Sequence, residues 1–295
     1  MPTMDNQRRA GALSRAMSRT TASAPGIIAP HPASPPLRVL LLGGTSEARA
    51  LAEALADRSD LAPSVSLAGR TRNPLGYPIP TRIGGFGGAA GLAAHLRAEG
   101  IDLLVDATHP FAAVMSANAA EAARRAGVPL LALARPAWTP QPGDRWHAVE
   151  NLAAALAALG AAPRRVFVAL GRNELRALEA APQHHYLIRS VDPVEPPLAL
   201  PHARYILDRG PFALASEVDL FKSHGIEVIL AKNSGGTASA AKLAAARALG
   251  LQVVLIARPP RPEVPTAASV EEALAWIDAR LHARSTPPAS ARRGV

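Results

Sequence analysis

The chain has 295 residues, 48% of them apolar, no cysteine and a formal net charge of +9. The missing cysteine excludes disulfides, thiolate nucleophiles, Cys-ligated zinc and iron–sulfur clusters, and no run is long and uncharged enough to span a bilayer. Nor does the charge mark a nucleic-acid binder: residues 1–36 and 281–295 carry +3 each, leaving +3 for the body, and no Lys/Arg run is interleaved with aromatic residues.

Residues 1–36 are rich in Arg, Ser, Ala and Pro and lack the apolar stretch of a secretory signal. They read as a disordered extension. An organellar transit peptide, or a displaced start with Met17 as the true initiator, has the same composition. Beyond them, "RVLLLG" (38–43), "SVSLA" (64–68), "DLLVDAT" (102–108) and "PLLALA" (129–134) predict strands. The Ala/Leu-rich segments between them predict helices over 46–58, 88–100 and 114–127. The strand runs are continuously apolar, as when helices cover both faces of a sheet. "RPAWTPQPGDRW" (135–146), with three prolines and a glycine, predicts a crossing between two halves. Strands are then expected at 164–170, 184–190, 203–210, 226–232 and 251–259, and helices at 213–224, 237–249 and 269–282. Residues 283–295 read as a disordered basic tail. The alternation implies an α/β protein of two Rossmann-like parallel-sheet domains, 37–137 and 138–282, facing a central cleft.

Candidate functional residues fall where strands give way to helices. In "LLLGGTSEAR" (40–49), Gly43 and Gly44 allow a tight turn, and Thr45 with the free N–H groups of the next helix can hold a phosphate. A plain strand-to-helix turn capped by Thr45 or Ser46 has the same sequence. The next strand leads into "LAGRTRNP", where a site for NAD would place a carboxylate on the ribose hydroxyls. Arg70 and Arg72 instead suit the 2′-phosphate of NADPH, unless they are exposed loop arginines. "RIGGFGG" (82–88) adds glycines, Gly85 among them, for close backbone approach. "VDATHPFA" (105–112) sets Asp106, Thr108 and His109 at a strand's carboxyl edge. His109 is a candidate proton donor, or else a cap or packing residue. In the second half, "ALGRNEL" (169–175), "DRGPF" (208–212) and "ILAKNSGGTAS" (229–239) place Arg172, Arg209, Lys232, Ser234 and Gly235 along a cationic rim able to bind several carboxylates without a metal. No H-E-x-x-H, Walker A or G-x-S-x-G pattern occurs.

Taken in order, "GGTSEAR", "AGRT", "RIGGFGG", "DATHPFA", "RPAW", "GRNEL", "RGPF" and "KNSGG" resemble the precorrin-6A reductases of cobalamin biosynthesis over about residues 38–280. The resemblance implies a cytoplasmic two-domain reductase that transfers hydride from NADPH to a ring double bond of a tetrapyrrole, giving precorrin-6B, with no flavin or metal. It implies cofactor-side roles for Gly43, Gly44, Thr45, Arg70 and Gly85, and cleft-side roles for Thr108, His109, Arg172, Arg209, Lys232, Ser234 and Gly235; Thr108 is counted with the cofactor. Transient contact with neighbouring pathway enzymes is a further expectation. A non-catalytic NADP-sensing module and an NADPH reductase of another polycarboxylate are the rival readings. The choice between a metal-free and a cobalt-containing macrocycle is left open, as is ordered water against His109 as the proton source.

Overall fold

The computed structural model describes residues 35–69 and 75–285. The expectations for residues 1–34, for Arg70 and Arg72, and for the tail beyond 285 lie outside the described residues. A first series of strands, β1 (Leu37–Leu42), β2 (Leu61–Leu67), β3 (Thr81–Ile83), β4 (Leu103–Asp106) and β5 (Leu130–Leu133), is joined by α1 (Ser46–Leu55), α2 (Gly88–Ala98) and α3 (Ala113–Ala126). A second series follows: β6 (Arg145–Val149), β7 (Arg165–Ala169), β8 (His185–Ser190), β9 (Ala203–Leu207), β10 (Val228–Lys232) and β11 (Gln252–Ile256). Its connections contain α4 (Leu152–Leu159), a 3-10 helix (Arg172–Ala180), α5 (Leu214–Ser223) and α6 (Ala241–Leu249). β12 (Thr266–Ala267) and α7 (Val270–Ser285) come last.

These strands form two six-stranded sheets, ordered β12-β5-β4-β1-β2-β3 and β6-β11-β10-β7-β8-β9. All pairings are parallel. The α/β class and the paired Rossmann-like sheets are those expected. The order reverses beside β1 in one sheet and β7 in the other, so each sheet has a crevice at its carboxyl edge where such folds bind ligands. Both sheets belong to one compact unit that starts at Pro35.

Sheet membership departs from the expected boundary at one place. By chain order residues 266–282 belong to the expected second half, yet β12 pairs with β5, and Ala273 and Ile277 of α7 pack in the same core as Leu51 and Leu55 of α1; α7 also runs on to Ser285, past the expected start of the tail at 283. The chain therefore crosses between the sheets twice, after β5 and again after β11.

Alternation along the strands explains why both faces need helices. In β1, Val39 and Leu41 join the core under α1 and α7, whereas Leu40 and Leu42 join the core under α2 and α3. The second sheet is covered likewise, with one core under α4 and the 3-10 helix and another under α5 and α6. Strand ends at Leu42, Asp106, Ala169 and Lys232 are thereby held on rigid, doubly covered scaffolding.

Candidate active site

At the first sheet's carboxyl edge, β1 runs into Gly43. A Cβ there would stand 2.7 Å from Val65 Cγ2 and 3.2 Å from the Tyr77 hydroxyl, so only glycine fits. Gly44 takes φ +115, open to glycine and strained for other residues, and its N–H donates to the Tyr77 hydroxyl at 3.2 Å. Thr45 is the N-cap of α1: its Oγ1 accepts from the Ala48 N–H at 3.1 Å and donates to the Ala107 carbonyl at 2.9 Å. Such a cap stabilises a helix by about 1 kcal/mol. The Thr45 hydroxyl is thus committed within the protein, and anion binding at this turn falls to backbone N–H groups at the positive end of α1. Gly85 sits on the same edge beyond β2, in an exposed loop whose carbonyls are gripped by Arg82: Nη1 donates to Gly84 O at 2.6 Å and Nη2 to Gly85 O at 2.8 Å.

β4 ends in Asp106, which is 2% exposed. One of its oxygens accepts the Thr108 N–H at 3.1 Å and the Thr108 hydroxyl at 2.6 Å. The other accepts the Ser116 hydroxyl at 2.6 Å and Arg261 Nη2 at 2.9 Å. Arg261 lies on the second crossing, so Asp106 ties that crossing to the first sheet. Thr108 supports this knot and offers no free hydroxyl proton to a ligand.

His109 follows, its Nδ1 accepting the Phe111 N–H at 3.2 Å. Burial, and then the positive charges of Arg135, Lys232, Arg258 and Lys242, push its pKa down to about 3. This weighs against the expected proton-donor role and accords with the packing alternative. Near neutral pH the ring is uncharged, with its proton on Nε2 because Nδ1 is an acceptor.

The crossings meet in a seam of hydrogen bonds. Arg135, just past β5, pairs with Glu47 in the first turn of α1 and donates from Nε to the Ser234 carbonyl at 2.8 Å. Arg258, just past β11, donates to the carbonyls of Asn233 (2.9 Å), Arg135 (2.8 Å), Ser234 (3.0 Å) and Pro136 (3.1 Å). Asn233 exchanges two bonds with the Trp138 backbone, at 2.8 and 2.9 Å. The loop after β10 is thereby fixed against the first crossing. Gly235, expected on the substrate side, lies within this seam. It is buried at φ +66, and a Cβ would lie 2.0 Å from the Pro136 carbonyl.

Lys232, the last residue of β10, pairs with Glu174 of the 3-10 helix, and its Nζ lies 4.8 Å from the Phe111 ring centre. That contact brings the second sheet's edge to the His109 loop of the first. Ser234 joins Lys232 there, its carbonyl used by the seam and its hydroxyl 3.5 Å from the Lys232 carbonyl. Arg172 is exposed at the start of the 3-10 helix, beside Gly171. Arg209 is exposed too, in a loop whose Gly210 abuts the Ala238 carbonyl. The geometry therefore groups Lys232 and Ser234 with His109 and Phe111, and leaves the two arginines on the outer rim.

The chain matches, over residues 38–278, the family model described as Precorrin-6x reductase CbiJ/CobK. It belongs to that family. It is 57% identical to a precorrin-6A reductase of Sinorhizobium sp. over 80% of this chain and 91% of the relative. It is 53% identical to that of Rhodobacter capsulatus over 81% and 95%. A cobalt-precorrin-6A reductase of Priestia megaterium is 28% identical over 75% and 90%. The solved structure of a CobK precorrin-6A reductase superposes with a TM-score of 0.79 at 52% identity, covering 82% of this chain and 96% of the other. The family match begins at Arg38, runs through both sheets and both crossings, and closes within α7. As a precorrin-6x reductase, the chain is an oxidoreductase. No helix among the described residues is long and apolar enough to cross a membrane.

Several residues that build the site carry no motif. Arg258 and Arg261 sit in "ARPPRPE", where arginines among prolines look like ordinary loop charge. Lys242 sits in an Ala-rich helix and reads as solvated, although it is only 7% exposed. Arg189 was readable: an arginine closing the apolar run "YLIRS" is a charge where a covered strand tolerates none without a partner.

Proposed function

We propose that the chain reduces precorrin-6A to precorrin-6B in cobalamin biosynthesis, with NADPH as hydride source. The Lys232–Phe111 contact and the seam beside it support this reading, because they hold the cationic edge of the second sheet against the His109 loop of the first. The residues of the first edge fit a dinucleotide: Gly43 has no room for a side chain, Gly44 takes a φ of +115 that favours glycine, and the start of α1 supplies N–H donors. Gly43, Gly44, Gly85 and the backbone at Thr45 would hold the cofactor, and Arg70 its 2′-phosphate. Bound there, NADPH supplies a hydride.

The chain's own contribution is placement and electrostatics. Lys232, Ser234, Arg172 and Arg209 orient a polycarboxylate over the first sheet's edge, which lowers the entropy cost of bringing two large reactants together. Lys232 lies near enough to the His109 loop to stabilise negative charge developing on the macrocycle. One double bond of the ring accepts the hydride at one carbon and a proton at its neighbour. Because the His109 imidazole is neutral, we assign that proton to water and give His109 Nε2–H an orienting role. We assign the metal-free macrocycle as substrate, since the relatives named for it are 57% and 53% identical and the cobalt-named one 28%. The absence of cysteine suits a cytoplasmic, reducing setting.

The test is NADPH oxidation measured with and without precorrin-6A, with NADH as comparator. Loss of NADPH that depends on substrate, and faster than loss of NADH, is expected. Binding of NADPH without consumption would replace this reading with that of a cofactor-sensing module.

A further inference from the structure

A pocket of about 220 Å³ opens at the second sheet's carboxyl edge, between the ends of β7, β8 and β10 and the start of α6. Its lining includes Arg189, Ser190, Lys232 and Lys242. Two of its cations are already matched: Arg189 Nη2 donates to both oxygens of buried Glu217, at 2.7 and 2.9 Å, and Lys232 pairs with Glu174. The Arg189 guanidinium is also clamped between rings, 4.6 Å from the centre of Phe167 and 4.0 Å from that of Phe212.

Lys242 differs. Its Nζ donates to the Ser239 carbonyl at 2.6 Å and lies 4.7 Å from the Trp138 ring, but among the described residues it forms no ion pair. Burial pushes its pKa down to about 7, against the pull of Glu217, which Arg189 already occupies. Two further donors of the lining residues, Arg189 Nε and Ser190 Oγ, are buried with no partner among the described residues. Buried donors and an uncompensated buried cation are costly, so the pocket is built for an anion that the protein itself does not provide. Asp208, also in the lining, is exposed and turned onto the Arg209 N–H at 2.8 Å.

The rim shows what kind of molecule carries that anion. Val191 is 46% exposed, Leu207 58% and Leu214 49%. They stand at the ends of β8 and β9 and at the start of α5, on the same edge as the pocket. An apolar shelf beside a cationic recess fits a flat, largely apolar ring that carries carboxylate arms.

We propose that this pocket receives one carboxylate arm of the substrate, with Lys242 as its counter-charge and Ser190 and Arg189 Nε as additional donors, and so fixes the rotation of the macrocycle against the reacting edge. The proposal rests on the precorrin-6A reading above. Lys242 is a positioning residue and touches no reacting atom.

The test compares the full-length wild type with Lys242→Met and Ser190→Ala in steady-state reduction of precorrin-6A, with NADPH affinity and the thermal midpoint measured alongside. In Lys242→Met, KM for precorrin-6A should rise about tenfold or more, as for a lost charged hydrogen bond. NADPH affinity should not change. The thermal midpoint should hold or rise, because an unpaired buried charge gives way to an apolar chain of similar length; a lysine with a purely structural role would lower it. Ser190→Ala removes a hydroxyl that has no partner among the described residues, and should raise KM severalfold without loss of stability. A KM within about twofold of wild type in both variants, with wild-type turnover intact, would overturn the pocket assignment alone. A wild type that does not reduce precorrin-6A would overturn both the assignment and the reading beneath it.

Discussion

Replacing Gly235 by alanine places a methyl group inside the seam. The new Cβ would lie 2.0 Å from the Pro136 carbonyl oxygen and 2.4 Å from Arg258 Nη2, at a backbone φ of +66. The left-handed conformation alone costs a non-glycine residue about 1–2 kcal/mol. Forcing an extra carbon into a packed contact adds about 1–3 kcal/mol, and the atoms that must give way include backbone as well as the Arg258 side chain. The expected loss is therefore about 2–5 kcal/mol. Gly127 is the matched control: it caps α3 at φ +70, with nothing within 4 Å of an added Cβ. Gly127→Ala should cost only the conformational part, about 1–2 kcal/mol. Urea denaturation of the two variants beside wild type measures the difference, which belongs to the close approach of the crossing. Equal losses would refute the claim that the loop after β10 is locked against Pro136.

Three further outcomes follow from the site. Asp106→Ala removes the carboxylate that serves Arg261, Thr108 and Ser116; leaving a mostly buried arginine unpaired should cost about 3–5 kcal/mol in urea denaturation, and a loss under 1 kcal/mol would show that the knot at the second crossing is dispensable. His109 has a folded pKa near 3 against 6.5 in the unfolded chain, so the unfolded state binds its proton first; the stability this gives is complete above pH 6.5 and is lost as pH falls toward 3. His109→Gln should accordingly flatten the decline of stability between pH 7 and 4, and an unchanged slope would refute the neutral ring. Arg70→Ala should weaken NADPH binding by about 1.5–3 kcal/mol, as for a lost charged hydrogen bond, and leave NADH nearly unaffected; equal losses in cofactor titrations would remove the 2′-phosphate assignment.

The strands legible in the sequence are those buried on both faces. "RVLLLG" and "IEVILAK" are continuous apolar runs because helices cover each side, and they became β1 and β10. β6, "RWHAV", lies at a sheet edge with exposed or half-buried residues at all but its last position, so it has no apolar run and was not among the expected strands; only Arg145 and Trp146 fall in the expected crossing. β12 is two residues long and carries no period at all. The return of β12 and α7 to the first sheet was unreadable for a different reason: periodicity reports which face of an element is buried, but not which sheet buries it. The glycine turn and the "DATHPFA" stretch do fall at the carboxyl ends of β1 and β4, where the apolar runs stop. The low pKa of His109 was not legible there, because it comes first from burial and then from cations on the two crossings, at the end of β10 and on α6. Gly235 was placed on a rim for the same reason, since Pro136, which leaves it no room, is 99 residues away.

Direct transfer of hydride from cofactor to macrocycle, with the second hydrogen drawn from water, is the central claim. It is tested most directly with NADPH deuterated at C4, prepared with the label on each face in turn, and analysis of the product by mass and NMR. One of the two labelled cofactors should pass a single deuterium to one ring carbon, and turnover in heavy water with unlabelled NADPH should label only the neighbouring carbon. A product that takes both hydrogens from solvent, with no deuterium from either labelled cofactor, would contradict the account.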